Sequence, residues 1–142
     1  MLNTPDNLTR AEMFQIAEDC GIWLDDEETL EDHFLVWRRA VMFDRTVVIY
    51  VDIDGQMVCR VNGCTNKSSR FNPPLPPNQA GLIWRWFIKA WAEMVEEVGD
   101  DLDAWLEIED GDGNYDSRVK IFKKMGFRFT DRFGDMMRYK AE

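Results

Sequence analysis

The sequence predicts an α+β fold, in which helices flank a mixed β-sheet. Residues 81–98 have the apolar pattern of a long helix, and residues 46–61 alternate like a β-hairpin. Residues 117–129 read as a helix that ends at a glycine and continues as a strand. Because a chain of 142 residues with 45% apolar residues can bury a core, one domain is expected over residues 1–142.

Two helices are predicted in the amino-terminal third. Thr9 and Glu12 form a capping box, and Gly21 is suited to end the first helix. The second helix is predicted at about residues 26–42, because acidic residues open it and basic residues lie near its end, as the helix dipole favours. Its expected buried stripe consists of Leu30, Phe34, Trp37 and Val41.

A hairpin and a proline-rich connector are predicted next. The hairpin over residues 46–61 turns at Asp54-Gly55, a pair that tolerates positive φ. Residues 62–80 lose the alternation. Four prolines among residues 73–77 lack amide donors, which favours a rigid connector over an inner strand or a polyproline ligand.

The helix predicted at residues 81–98 is apolar around most of its circumference. Its polar residues form one narrow stripe, consisting of Arg85, Lys89, Glu93 and Glu97. Such a helix must be covered on more than one side, either by the sheet and the amino-terminal helices or by a partner or second subunit. The candidate anchors of an interface with a partner are Trp84, Trp86 and Trp91.

The carboxyl-terminal part predicts a strand, a short helix and a second hairpin. The strand covers residues 104–109, and the helix ends at Gly126, which can adopt positive φ at little steric cost. The hairpin over residues 128–140 is expected to turn near Phe133-Gly134.

Charge is segregated along the chain, whose net charge is −10. Residues 93–116 contain eleven acids and no base, whereas residues 117–142 contain eight bases and three acids. A mostly acidic surface repels phosphate backbones, so no nucleic-acid binding is expected, and the acidic faces suit a basic protein partner. No apolar run reaches the roughly 18 residues of a membrane span. No secretory signal is visible, so a cytoplasmic location is expected, or one in a particle assembled there.

Neither a disulfide framework nor a metal site is predicted. Three cysteines are an odd number without an export signal, and His33 is the one histidine, which excludes an ordinary zinc site. The acidic loop at residues 110–116 alternates like a calcium-binding loop. It has Tyr115 where the sixth-position glycine is needed and Ile121 where a bidentate glutamate is needed, so it is interpreted as a polar turn.

The Phe-Lys-Lys-Met-Gly-Phe run at residues 122–127 and the element order resemble the GNAT superfamily of N-acetyltransferases. The resemblance covers most of the chain. It implies a mixed sheet in which two parallel strands splay apart around acetyl-CoA. One of them, the fourth strand, would fall around residues 68–71, where it is short or broken because it leads directly into the prolines. It also implies that the pyrophosphate of the cofactor lies on backbone amides at the start of the long helix, where a helix amino terminus favours anions.

The expected cofactor loop departs from the family pattern. If Gly81 is its first glycine, Asn78 stands where glutamine or arginine is expected, and Gln79 is out of register by one residue. Ile83 replaces a small residue, and Trp84 adds bulk beside the phosphate position. Asn78, Gln79 and Gly81 are therefore a degenerate loop, which would bind a cofactor only if the chain binds acetyl-CoA.

The expected catalytic residue is also replaced. Many family enzymes have a tyrosine as the general acid on the last helix, and Phe122 stands at that position here. Phenylalanine cannot donate a proton. Glu107 and Glu109 could act on an amine as a base, but strand carboxylates are more commonly structural. No catalytic residue is assigned.

The leading hypothesis is a noncatalytic GNAT-like binding or structural protein that uses no cofactor and binds a protein partner or a second copy of itself. A further resemblance, to small GNAT-like proteins of short-tailed phages, implies a phage-encoded protein in the virion or in the host cytoplasm. Two alternatives stay open: an acetyl-CoA-dependent N-acetyltransferase with an atypical loop, and an acidic inhibitor of a basic host protein.

Overall fold

The computed structural model describes residues 15, 18, 33–62, 71–108, 115–130 and 136–140. Its strands are β1 (Phe34–Met42), β2 (Arg45–Asp52), β3 (Met57–Val61), β4 (Asp103–Glu107), β5 (Arg128–Phe129) and β6 (Met136–Lys140). Its helices are α1 (Pro77–Val98), followed by a 3₁₀ turn at Gly99–Asp101, and α2 (Tyr115–Lys124). The chain is therefore α+β, as predicted.

The strands form two small antiparallel sheets, with the orders β1-β2-β3 and β4-β6-β5. The sheets meet just before β3 and at the middle of β4. There Gln56 and Trp105 form a parallel bridge, and the Trp105 amide donates to the carbonyl of Gly55 at 2.9 Å. Within the described residues, β3 and β4 make no further ladder pairs, so the two parallel strands are joined at this one bridge.

The helix predicted at residues 26–42 is wrong over residues 34–42, which form β1. Val41, a member of the expected buried stripe, is 65% exposed. The segment is rich in β-branched and aromatic residues, and β2 supplies a complete antiparallel partner, from Phe34 opposite Asp52 to Met42 opposite Arg45. The rest of this prediction and the first predicted helix lie outside the described residues, except Gln15 and Glu18, which are helical.

Two tight turns connect the strands of the first sheet. Phe43 and Asp44 both have positive φ, 54° and 62°, and form the two-residue loop between β1 and β2. The hairpin predicted at residues 46–61 is confirmed as β2 and β3. Its turn has three residues, 53–55, instead of two, since the Asp52 amide donates to the carbonyl of Gln56 at 2.9 Å, and Gly55 supplies the positive φ of 92°.

The core lies between the two sheets and the two helices. Helix α1 begins four residues earlier than predicted, with Pro77 in its first turn, where a proline is tolerated. Its buried residues are Ile83, Phe87, Ala90, Trp91 and Met94. They belong to the same buried cluster as Val47 and Ile49 of β2 and Leu106 of β4. No helix in the described part of the chain is long and apolar enough to cross a membrane.

Helix α2 ends at Gly126, as predicted, through a double hydrogen bond typical of a Schellman motif. The Phe127 amide donates to the carbonyl of Phe122, and the Gly126 amide donates to that of Lys123, both at 3.0 Å. Gly126 has a φ of 100°. The chain then enters β5, which pairs antiparallel with β6 and confirms the predicted hairpin, whose turn near Phe133-Gly134 lies outside the described residues.

The proline connector is held against the first sheet by Arg45. The Arg45 side chain is buried, donates to the carbonyl of Pro73 and lies 5.2 Å from the centre of the Phe71 ring. Of the expected short fourth strand at residues 68–71, Phe71 alone lies within the described residues.

Candidate functional site

The residues of the expected cofactor loop lie in the first turns of α1. The amides of Gln79 and Ala80 donate to the carbonyl of Pro76, at 3.0 and 3.1 Å, and Pro77 has no amide proton. Asn78 is exposed and Gln79 is half-buried. Since Pro77 has no amide proton and the amides of Gln79 and Ala80 are bonded within the helix, this helix start offers few donors to an anion.

Gly81 lies one turn inside the helix instead of at its start. No protein atom lies within 4 Å of the position that a Cβ would occupy, and Gly81 is exposed. Packing of the chain therefore does not require a glycine here. Its φ lies outside the left-handed region, so the backbone does not require a glycine either.

Aromatic rings occupy the space between α1 and α2. The ring of Trp84 lies 5.9 Å from that of Phe122, edge to face at 82°, and 5.3 Å from that of Phe87. Phe122 is buried, with 8% of its surface exposed, and lies 6.3 Å from Phe127. These rings join the start of α1 to α2 by apolar contact, in the space where a ligand held between the two helices would lie.

The three tryptophans predicted as partner anchors differ in exposure. Trp91 is 2% exposed, and its Nε1 donates to the carbonyl of Met125 at 2.8 Å, so it is a core residue with almost no surface for a partner. Trp84 and Trp86 are half-buried, and the ring of Trp86 lies 5.4 Å from Phe87. Accessible aromatic surface on α1 therefore belongs to Trp84 and Trp86.

Cys59 of β3 has a thiol of low reactivity. In the ladder with β2, Arg60 and Val58 of β3 alternate with Cys59, and the side chain of Cys59 joins the core cluster. Burial raises the pKa of the Cys59 thiol far above its usual range, although the charges of Arg118 and Arg60 lower it. Since the thiolate is the nucleophile, Cys59 is suited to packing.

The titratable residues on β4 and at the start of α2 have different surroundings. Glu107 is exposed on β4, and Glu109 lies outside the described residues. Asp103 is paired with Arg138, whose Nε donates to it at 2.7 Å. This hydrogen bond holds the pKa of the Asp103 carboxyl below its usual value. Tyr115 is half-buried at the start of α2, among the residues packed on the core.

A concavity of about 180 Å³ lies at the end of the first sheet that holds the turn between β2 and β3. It is open and lined by His33, Phe34, Tyr50, Asp52, Ile53 and Asp54. The Asp52 carboxylate already accepts hydrogen bonds from the amides of Asp54 and Gln56, both at 2.9 Å, and thus stabilises the turn. Phe34 and Tyr50 are stacked on each other, 4.1 Å apart. These contacts belong to the fold of the hairpin.

Within the described residues, no group of three or more histidine, cysteine, aspartate or glutamate side chains could hold a metal ion. Sequence reasoning identified Trp84 and Phe122 separately but missed their contact, because a contact between two helices depends on how they cross. It also missed the pair of Asp103 and Arg138, which strand register alone brings together.

The chain matches no protein-family model, and no curated protein is significantly similar to it.

Proposed function

We propose that this chain is a noncatalytic GNAT-like protein that functions by binding another protein, encoded by a phage and located in the virion or in the host cytoplasm. The observation that carries the noncatalytic part is the contact of Trp84 with Phe122, because it places two aromatic rings between the start of α1 and α2.

The fold part of the proposal is supported by the relation of β3 to β4. They are parallel neighbours that pair at Gln56 and Trp105 and then separate, with α1 between them in the chain. The resemblance implies such a pair of splayed strands, although the first of them was expected around residues 68–71 and not at β3. The order β4-β6-β5 of the second sheet also fits a final hairpin that inserts its last strand beside β4.

Two further features support the loss of acetyl-CoA chemistry. The start of α1 offers few amide donors, since Pro77 has none and the amides of Gln79 and Ala80 are bonded to Pro76. The position expected for a catalytic tyrosine is the buried Phe122, which has no proton to donate.

Thermal unfolding with and without acetyl-CoA tests the proposal. A ligand that binds the folded state alone stabilises it by about 4 kcal/mol at 1,000 times its dissociation constant. We expect no shift for the wild-type protein at millimolar acetyl-CoA. A saturable shift would instead support an N-acetyltransferase with an atypical loop.

Two variants test whether Trp84 prevents the binding of acetyl-CoA. Trp84→Ala opens the space between α1 and α2, whereas Trp86→Ala removes a half-buried tryptophan that has no ring contact with Phe122 among the described contacts. If crowding by Trp84 excludes the cofactor, any gain of binding occurs in Trp84→Ala and not in Trp86→Ala. A gain in both variants, or in the Trp86 variant alone, would contradict this cause.

A further inference from the structure

One face of helix α1 is exposed to solvent along most of its length. Leu82, Arg85, Lys89, Ala92 and Glu96 follow one another at alternating spacings of three and four residues, so they lie on one side of the helix. All of them are exposed, whereas the buried residues of α1 lie on the opposite side. We define these five residues as the outer stripe.

The charges of the outer stripe are arranged unfavourably within a single helix. Arg85 and Lys89 are four residues apart, so two like charges are neighbours on the helix surface. Glu96 lies in the last turn, where the helix dipole favours a base, and that turn contains no base. The stripe is therefore basic in its middle and acidic at its carboxyl end.

The other acids of this part of α1 have a partner within the chain. The guanidinium of Arg38 on β1 donates to the carboxylate of Glu97 at 2.6 Å, and its Nε lies 4.0 Å from that of Glu93. In the part of the chain that the structure describes, no residue of the outer stripe takes part in an ion pair or a side-chain hydrogen bond. Its charges are therefore available to a second molecule.

An antiparallel second copy of α1 matches these charges. A two-fold axis that crosses the helix between positions 90 and 91 places Arg85 opposite Glu96 of the second copy, and symmetry repeats the pair. Lys89 then lies opposite Ala92, one turn from the same glutamate, and the small side chain of Ala92 leaves room for the lysine. Each Glu96 thus has two bases of the other copy beside it.

The same register gives Leu82 a place to pack. Leu82 is 42% exposed, and it falls opposite Gly99 of the second copy, in the turn that follows α1. No protein atom lies within 4 Å of the position that a Cβ would occupy at Gly99, so an incoming side chain meets no neighbour there. Two such contacts, related by symmetry, bury apolar surface at the ends of the paired helices.

We propose that two copies of this chain associate through the outer stripe, with the two α1 helices antiparallel. The inference goes beyond the proposed function and does not rest on it. A partner of one sign of charge fits less well, because the stripe carries both signs in an order complementary to its own reverse. Helix α1 has 22 residues. One pair of such helices buries less than the roughly 1,600 Å² of a standard interface, so we expect a dissociation constant of about 10–100 µM.

Sedimentation velocity tests the inference. Each copy has a net charge of −10, so the measurement is made at about 0.15 M salt, where long-range repulsion is screened over about 8 Å. We expect a reversible dimer. Arg85→Glu with Lys89→Glu, and separately Glu96→Lys, should each weaken it at least tenfold, because each places like charges opposite each other. A wild-type protein that stays monomeric up to about 500 µM would overturn the inference.

A mixture of these two variants is the sharper test, after circular dichroism has established that each is folded. The first variant has acids where Glu96→Lys has bases, so a labelled sample of one should bind the other at least tenfold more tightly than either binds itself. The control is Lys120→Glu with Lys124→Glu, which changes the net charge equally through exposed residues of α2.

The control variant should self-associate within twofold of the wild-type protein and bind Glu96→Lys more weakly than it binds itself. A mixture of the two stripe variants that binds no more tightly than each variant alone would contradict the proposed pairing. So would an equal loss of self-association in the control variant and in the stripe variants, because net charge rather than the outer stripe would then govern association.

Discussion

Trp91 and Met125 join the two helices through one buried hydrogen bond, from the indole Nε1 of Trp91 to the carbonyl of Met125 at 2.8 Å. Met125 lies in the turn that ends α2, just before Gly126. The Trp91 ring also lies 5.0 Å from Phe127 and 5.3 Å from Tyr139. The indole therefore holds the end of α2 and the second sheet against α1.

Trp91→Phe should lower the free energy of unfolding by about 2 kcal/mol. The change leaves the buried carbonyl of Met125 without its donor and removes ring volume from a close-packed region. Trp86→Phe is the matched control, because Trp86 is half-buried, and it should cost less than about 1 kcal/mol. Urea denaturation of both variants measures the difference, and equal losses would refute the structural role of this hydrogen bond.

Two glycines should respond in opposite ways to alanine. Gly126 has a φ of 100°, and a Cβ there would lie 2.9 Å from the Tyr139 ring, so Gly126→Ala should destabilise the fold by about 2–3 kcal/mol. Gly81 is helical and has open space around it, so Gly81→Ala should stabilise by about 0.5–1 kcal/mol. Thermal unfolding monitored by circular dichroism tests both, and a destabilised Gly81 variant would indicate a constraint missing from this account.

Asp103 should make the free energy of unfolding depend on pH in the acid range. Its pKa is lower in the folded state because Arg138 donates to the carboxylate, so its contribution is present above the ordinary aspartate pKa and is lost as pH falls through the folded value. The pair is exposed, so Asp103→Asn should cost less than about 1 kcal/mol at pH 7.

The difference between Asp103→Asn and the wild-type protein should shrink as pH falls from about 4 toward 2. Chemical denaturation across this range measures it. A difference that grows toward acid would contradict the assigned pairing.

The sequence predicted most of the described fold because its signals there were local. The hairpin of β2 and β3, the strand β4 and the stop of α2 at Gly126 depend on alternation and on glycines with positive φ. Strand β1 was missed because Phe34, Trp37 and Val41 also have helical spacing. The hydrogen bonds that favour a strand over a helix here come from β2. In addition, the turn at Phe43-Asp44 lacks the asparagine or glycine that usually marks such a turn in a sequence.

Less of the candidate site could be predicted. The sequence identified Trp84 and Phe122 as unusual for a cofactor site, but their contact depends on the crossing of two helices. The surplus of bases after residue 116 was visible in the sequence, whereas the opposition of Arg128 and Arg138 follows from strand register. Trp91 was grouped with Trp84 and Trp86, since helical periodicity on a helix apolar almost all round does not show which tryptophan is innermost.

The most direct measurement for the central claim is an amide chemical-shift titration of the ¹⁵N-labelled protein with coenzyme A. The account predicts no saturable change at Asn78, Gln79 and Gly81, because Pro77 has no amide proton and the rings of Trp84 and Phe122 lie against each other between α1 and α2. Saturable shifts that cluster at these three amides, and that 3′,5′-ADP alone reproduces in part, would contradict it.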